Sequence, residues 1–357
     1  MHAYERRKFH APDRAGLHQC CRLSVRHPDS RALLRHRGGY GPQSWQAAVI
    51  YFPWRLAGFV VPAFLFTGAV KMALFFGDRK ITAGVYLRYI WERIRHIYFP
   101  YVIWAAVYYL CFYAAGYVQG SFSELAAGIF RGSLSGQFYY VVIVMQFYLL
   151  MPLWMRLALR VPFFVSLCVS LFLTMTALRF SNFLAQFGFS FAYADRIFLP
   201  YLIFWTLGIY AGAHYDRVTE SIRRIGAGTG AVFCLCVLSG TLLAYGNYSR
   251  GILLIDQDFL KLVTDIMSIL LIWAVCIRIR EKNQRAGKLL AKINRASYQV
   301  YLSHCLFLTA VTDVLAGYAV STSVILAVRA TIGYTVPFLL YAGWEKVKSG
   351  IRRQLPG

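Results

Sequence analysis

KMALFFGDRKITAGVYLRYIWERIRH, residues 71–96, is the stretch on which the fold turns. It carries Lys71, Arg79, Lys80, Arg88, Arg93 and Arg95 against only Asp78 and Glu92. On either side the chain is almost wholly apolar, from Ala47 to Val70 and from Ile97 to Val118. Each flank is long enough for a helix that crosses a bilayer, which takes about 20 residues. Lys and Arg are retained on the cytoplasmic side during insertion, so the basic stretch is expected in the cytoplasm. That placement fixes the side of every later loop. It also presents guanidinium groups where a phosphate-bearing molecule from the cytosol would meet them.

Apolar runs of this kind recur. They lie at about 47–70, 97–118, 138–155, 161–178, 197–214, 229–246, 259–277, 297–316 and 321–344. The fold class expected is therefore all-α, a polytopic membrane helical bundle of about nine spans. Composition agrees: 15% of the 357 residues are charged, against about 25% in soluble domains, and the mean hydropathy is +0.50. The net charge of +23 raises nucleic acid as a partner. The positive residues sit in short segments between spans, which argues against that partner and for membrane lipid. The eight Cys include no pair of CxxC motifs, so neither a metal site nor a disulfide framework is expected.

Alternation from residues 71–96 places further basic segments in the cytoplasm: Arg156 and Arg160; Arg217, Arg223 and Arg224; the run from Arg278 to Arg295; and the tail's Lys346, Lys348, Arg352 and Arg353. The opposite side receives Arg131, Arg179, Arg196, Arg250 and Lys261. Three regions follow: a basic amino-terminal segment 1–46, a membrane domain 47–344 and a cytoplasmic tail 345–357. The first breaks the charge rule, because alternation puts its many Arg and His residues outside. It is either an unusual external arm or the product of a frameshift or wrong start that replaced a preceding span.

Five segments, in order, resemble the acyltransferase 3 family, bacterial membrane O-acyltransferases of surface polysaccharides. They are Val61–Val70 (VPAFLFTGAV), Leu87–Trp104 (LRYIWERIRHIYFPYVIW), Gln137–Leu153 (QFYYVVIVMQFYLLMPL), Leu199–Gly212 (LPYLIFWTLGIYAG) and Ser297–Leu308 (SYQVYLSHCLFL). The resemblance implies one span more than the nine counted here, in a bacterial inner membrane. It implies transfer of an acyl group, commonly acetyl, from acyl-CoA to a hydroxyl of a glycan or lipid-linked sugar. It also implies a first span with Arg, then a His about ten residues on; Arg7 and His18 have that spacing but lie in a segment that is not apolar. Thr67 stands where the family usually has Ser, Tyr139 and Tyr140 where His and Trp are common, and His96 where a further Arg is common.

Arg88, Arg93 and Arg95 are the candidates for acyl-CoA binding, since a guanidinium suits phosphate better than an ammonium does. Setting topology and meeting anionic headgroups are their other possible roles. His304, inside an apolar run, is a candidate base; positioning substrate or holding helices together is the more ordinary role. Arg55, Asp265, Asp313 and Arg329 also fall in or near apolar runs, where charges pair or face a cavity, and Asp313 and Arg329 are placed to pair. Asp195, Arg196, Asp256 and Asp258 fall at outer ends of spans, where they contact an acceptor or are simply solvated. A glycan exporter on the same scaffold and an inactive product lacking its first span remain as alternatives.

Overall fold

The computed structural model describes residues 41, 43–77, 79–188, 193–251, 254–315, 318 and 322–354. Arg7, His18 and Asp78, named above, lie outside them. The described residues are mostly helical, and no strand occurs among them. The helices are α1 (Trp45–Phe76), α2 (Ala83–Ala114), α3 (Phe122–Arg131), α4 (Tyr139–Leu149), α5 (Met151–Arg160) and α6 (Phe163–Gln186). Then follow α7 (Leu202–Ala213), α8 (Tyr215–Arg223), α9 (Ala227–Arg250), α10 (Gln257–Lys282), α11 (Gln284–Leu315) and α12 (Thr322–Gln354).

Each apolar run read from the sequence overlaps one or more of these helices among the described residues. Among the described residues, α1, α2, α6, α9 and α10 are each long and apolar enough to cross a membrane. A sixth crossing is available if Gly136–Leu149 and Met151–Leu157, bent by 60°, count as one span. The third run is thus a broken helix, and the fifth holds only the 12 residues of α7.

The basic stretch 71–96 is mostly helix. α1 continues to Phe76, where Gly77 takes φ +21, and α2 starts at Ala83 with Thr82 capping the Val85 amide. Lys and Arg are good helix formers, and the charge rule reports the side of a segment, not its conformation. α2 passes through a π turn at Ile94–Tyr98, where Phe99 N–H donates to the Ile94 carbonyl. Pro100 follows at once and has no N–H for an ordinary helical bond, which favours the wider turn.

α7 packs on α1 more closely than any side chain would allow. Gly208 and Gly212 face Ala69 and Ala73, and a Cβ built on Gly208 would lie 2.5 Å from the Phe66 carbonyl oxygen. Small residues four apart on both helices let the backbones touch, the usual device where apolar burial cannot drive association. Trp205, fully buried, stacks on Phe147 of α4 with centroids 4.3 Å apart. Arg223 of α8 bridges Glu220 (2.7 Å) and Glu281 of α10 (2.8 Å), and Arg278 donates to the Ile225 carbonyl.

Candidate active site

Two helices begin inside the protein. Thr174, midway along α6, donates to the Leu199 carbonyl (3.2 Å) and accepts from the Ile203 amide (3.3 Å). At 1.5 Å per residue, the chain beyond Gln186 has come back about 18 Å along α6 before α7 starts. α4 is tied to the same layer. The Gln146 side chain donates to the Arg196 carbonyl (2.7 Å) and accepts from the Phe198 amide (3.2 Å). Irregular backbone at such depth is stable only where protein buries it or it lines a cavity.

Arg196 lies at the centre of this layer, 5% exposed. Its Nε donates to the Arg131 carbonyl (2.6 Å), and its Nη1 reaches both Asp195 oxygens (2.6 and 2.7 Å). Its guanidinium also lies 5.1 Å from the Tyr193 ring. Next to it the Tyr139 and Tyr201 hydroxyls sit side by side, one at the head of α4 and one just ahead of α7. The turn from Gly132 to Gln137 closes the layer. Buried Gln137 accepts from Ser135 (2.6 Å) and donates to the Tyr108 hydroxyl (2.9 Å), while its carbonyl accepts from the Tyr301 hydroxyl. Tyr108 in turn takes the Leu306 amide (2.7 Å), tying α2 to α11.

A row of aromatic rings leads from this layer along α4 toward Arg93 of α2. Tyr301 lies 5.4 Å from Tyr140, and Tyr140 and Tyr148 are two turns apart on α4. The Arg93 guanidinium sits 5.4 Å from the Tyr148 ring and 4.7 Å from that of Tyr89. The Arg93 side chain bonds the Tyr148 hydroxyl, but its Nε is buried and has no hydrogen-bond partner among the described residues.

The family model of the acyltransferase domain, acyltransferase 3, matches residues 34–344. The chain belongs to this family. No curated protein matches it, and no solved structure does. The apolar helices and the family together make it a multi-pass membrane protein of an acyltransferase family.

The three candidate donor arginines do not converge. Arg93 turns inward, whereas Arg88 and Arg95, one heptad apart, are exposed. His304 is half-buried. Its Nδ1 meets the Tyr301 and Val300 carbonyls at 2.8 and 3.2 Å, which makes that nitrogen the donor. Its Nε2 lies 3.2 Å from Cys305 Sγ, and the ring stacks on Tyr334 at 6.2 Å. Asp313 lies beside the Tyr117 hydroxyl, and Arg329 is half-buried on α12. Arg55 approaches Asp265, which is paired with Lys261.

Asp256 caps α10, and the Phe259 amide, followed by Arg179 at 2.9 Å, holds its carboxyl below the usual carboxylate range. A solvated placement therefore suits Asp256, but not Arg196. A sequence reading that puts Arg196 in an outer loop misses the buried layer. The sequence offered no sign of it, since the fifth run, 197–214, is as long as the third, fourth and sixth.

Proposed function

We propose that this protein is an integral O-acyltransferase of a bacterial inner membrane. In this reading it moves an acyl group, acetyl in the first instance, from acyl-CoA in the cytosol to a hydroxyl of a cell-surface glycan or its lipid-linked precursor. The observation that carries the reading is the orphaned Arg93 Nε, buried among Tyr89 and Tyr148 at the cytoplasmic end of the ring-lined interior. A buried N–H without a partner costs free energy. A phosphate or thioester oxygen of the donor would satisfy it, so the residues present fit acyl-CoA.

Bound acyl-CoA supplies an activated thioester. The chain's contribution would be to hold the donor through Arg93, exclude water with aromatic walls, and present the acceptor hydroxyl in the layer of Tyr139, Tyr201 and Arg196. His304, with Nδ1 committed to backbone carbonyls, serves as a positioning residue. Arg88 and Arg95 lie on the exposed face of α2 and are left to topology and lipid headgroups.

The test is release or transfer of labelled acetyl from acetyl-CoA by membranes containing the full chain. A charge-assisted hydrogen bond contributes about 1.5–3 kcal/mol. Arg93→Ala should therefore lower kcat/KM by about tenfold or more, while Arg88→Ala and Arg95→Ala change it by less than about threefold. Equal activity in Arg93→Ala and wild type would refute the donor assignment. Movement of a lipid-linked sugar without any need for acyl-CoA would refute the enzyme reading itself.

A further inference from the structure

α1 does not run unbroken. It tightens into a 3-10 turn at Ala57–Phe59, two residues after Arg55. The turn allows α10 to come close: a Cβ on Gly58 would lie 3.8 Å from Lys261 Nζ. Lys261 is paired with Asp265 one turn further in, and that carboxylate side chain is only 7% exposed, whereas the Lys261 side chain is 36% exposed. Arg55 lies within electrostatic reach of the same carboxylate. Its Nη2 is nevertheless buried and has no hydrogen-bond partner among the described residues.

Two cations thus share one buried carboxylate. Asp258 is a turn nearer the exterior on α10 and has contacts of its own. Lys261 is bonded to Asp265, so the three groups together carry one excess positive charge. Tyr51, 5% exposed, stands one turn before Arg55 and closes the site off with an aromatic ring. Arg55 is ten residues, about 15 Å of helix, from the start of α1, and Lys261 only four residues, about 6 Å, from the start of α10, so the group lies toward the ends of both helices that the charge rule places outside. A charge inside a span is expected to pair or to face a cavity, and among the described residues Arg55 has no second carboxylate.

We propose that Arg55 and Lys261 form a binding site for a phosphate-type oxyanion in the outer half of the membrane, with the Asp265 carboxylate as the internal anion that competes for both cations. Arg55 supplies a planar fork suited to two oxygens, and Lys261 a mobile point charge at the more open side. The oxyanion is the phosphate of a membrane lipid headgroup or one delivered free. The site is separate from the acyl-transfer reading, because it is defined by binding with no acyl donor present.

The purified full chain in neutral detergent is titrated with phosphatidylglycerol, with inorganic phosphate and with diacylglycerol, and its unfolding midpoint is followed. Wild type should be stabilised by phosphatidylglycerol and not by diacylglycerol. A response to inorganic phosphate as well would assign the site to free phosphate, and a response to the lipid alone to a headgroup. Arg55→Gln should weaken the apparent affinity about tenfold, the loss of one charged contact. Asp265→Asn should tighten it severalfold, because the competing carboxylate charge is gone. Should Arg55→Gln fail to fold, Lys261→Gln at the more exposed residue carries the same expectation. A wild type that responds to neither phosphate probe overturns the proposal. So does Arg55→Gln binding as wild type does, or Asp265→Asn binding more weakly, the result of a purely structural ion pair.

Discussion

Gly208→Leu is expected to leave little folded protein. A Cβ at this position would lie 2.5 Å from the Phe66 carbonyl oxygen and 2.7 Å from the Ala69 Cβ. Both neighbours belong to the α1 backbone or to its shortest side chain, so neither can rotate away. The helices would have to separate, and α7 carries the fully buried Trp205 that stacks on Phe147. Overpacking a core costs about 1–3 kcal/mol even where side chains can adjust. Here the contact is backbone to backbone, and Gly208→Ala alone should cost that much. Leu should cost more than the few kcal/mol by which a domain's native state is favoured. Gly212→Ala should behave like Gly208→Ala, since its Cβ would meet the Val70 carbonyl at 2.7 Å. Gly246→Ala is the control: it is helical and has nothing within 4 Å of an added Cβ, so it should be neutral or slightly stabilising. Detergent-solubilised protein would be followed by gel filtration and thermal unfolding. Wild-type elution and melting in Gly208→Leu would mean that α7 does not lie on α1.

The same glycines show what a sequence gives away and what it withholds. The spacing of Gly208 and Gly212 is visible in the chain, but its partner is not. Ala69 and Ala73 are more than a hundred residues away, and small residues are common in membrane helices. The helical class was legible because a bilayer imposes a minimum apolar length, and nine runs met it or nearly did. Depth was not legible. An apolar run has the same composition whether its helix starts at the surface or halfway down, so α4 and α7 read as ordinary spans. Their inner starts are set by long-range contacts such as Thr174 to Leu199 and Gln146 to Arg196.

The donor arginines were legible as charge but were grouped by sequence proximity. Arg88 and Arg95 are seven apart and share a face, whereas Arg93 points away from both; helical periodicity alone predicts that split once the segment is known to be helical. Arg196 stayed hidden for a different reason. Beside Asp195 it reads as a solvated pair, and only folding shows that the Arg131 carbonyl and the ring of Tyr193 enclose it.

Arg196→Met is the second change expected to have a large effect. The Arg196 side chain is 6% exposed and that of Asp195 28%. The guanidinium answers three acceptor atoms: the Arg131 carbonyl and both oxygens of Asp195. Methionine fills a similar volume and supplies no donor. The carbonyl that ends α3 would be left unbonded, and the Asp195 carboxylate would lose its counter-charge. Breaking a buried pair from one side typically costs about 3–5 kcal/mol, because the remaining charge stays desolvated. Removing that charge as well should return part of the loss, so Asp195→Asn combined with Arg196→Met should be more stable than Arg196→Met alone. The gain should exceed about 1 kcal/mol, the scale of coupling between residues in contact. Arg224→Met is the comparison, since Arg224 has a side chain 78% exposed and pairs with Glu220 at the surface; such pairs contribute about 0–1 kcal/mol. Chemical unfolding of the four proteins in one detergent separates the cases. If Arg196→Met costs no more than Arg224→Met, or if Asp195→Asn makes the damage worse, then the guanidinium is solvated and the layer where α4 and α7 begin is open to water rather than closed by protein.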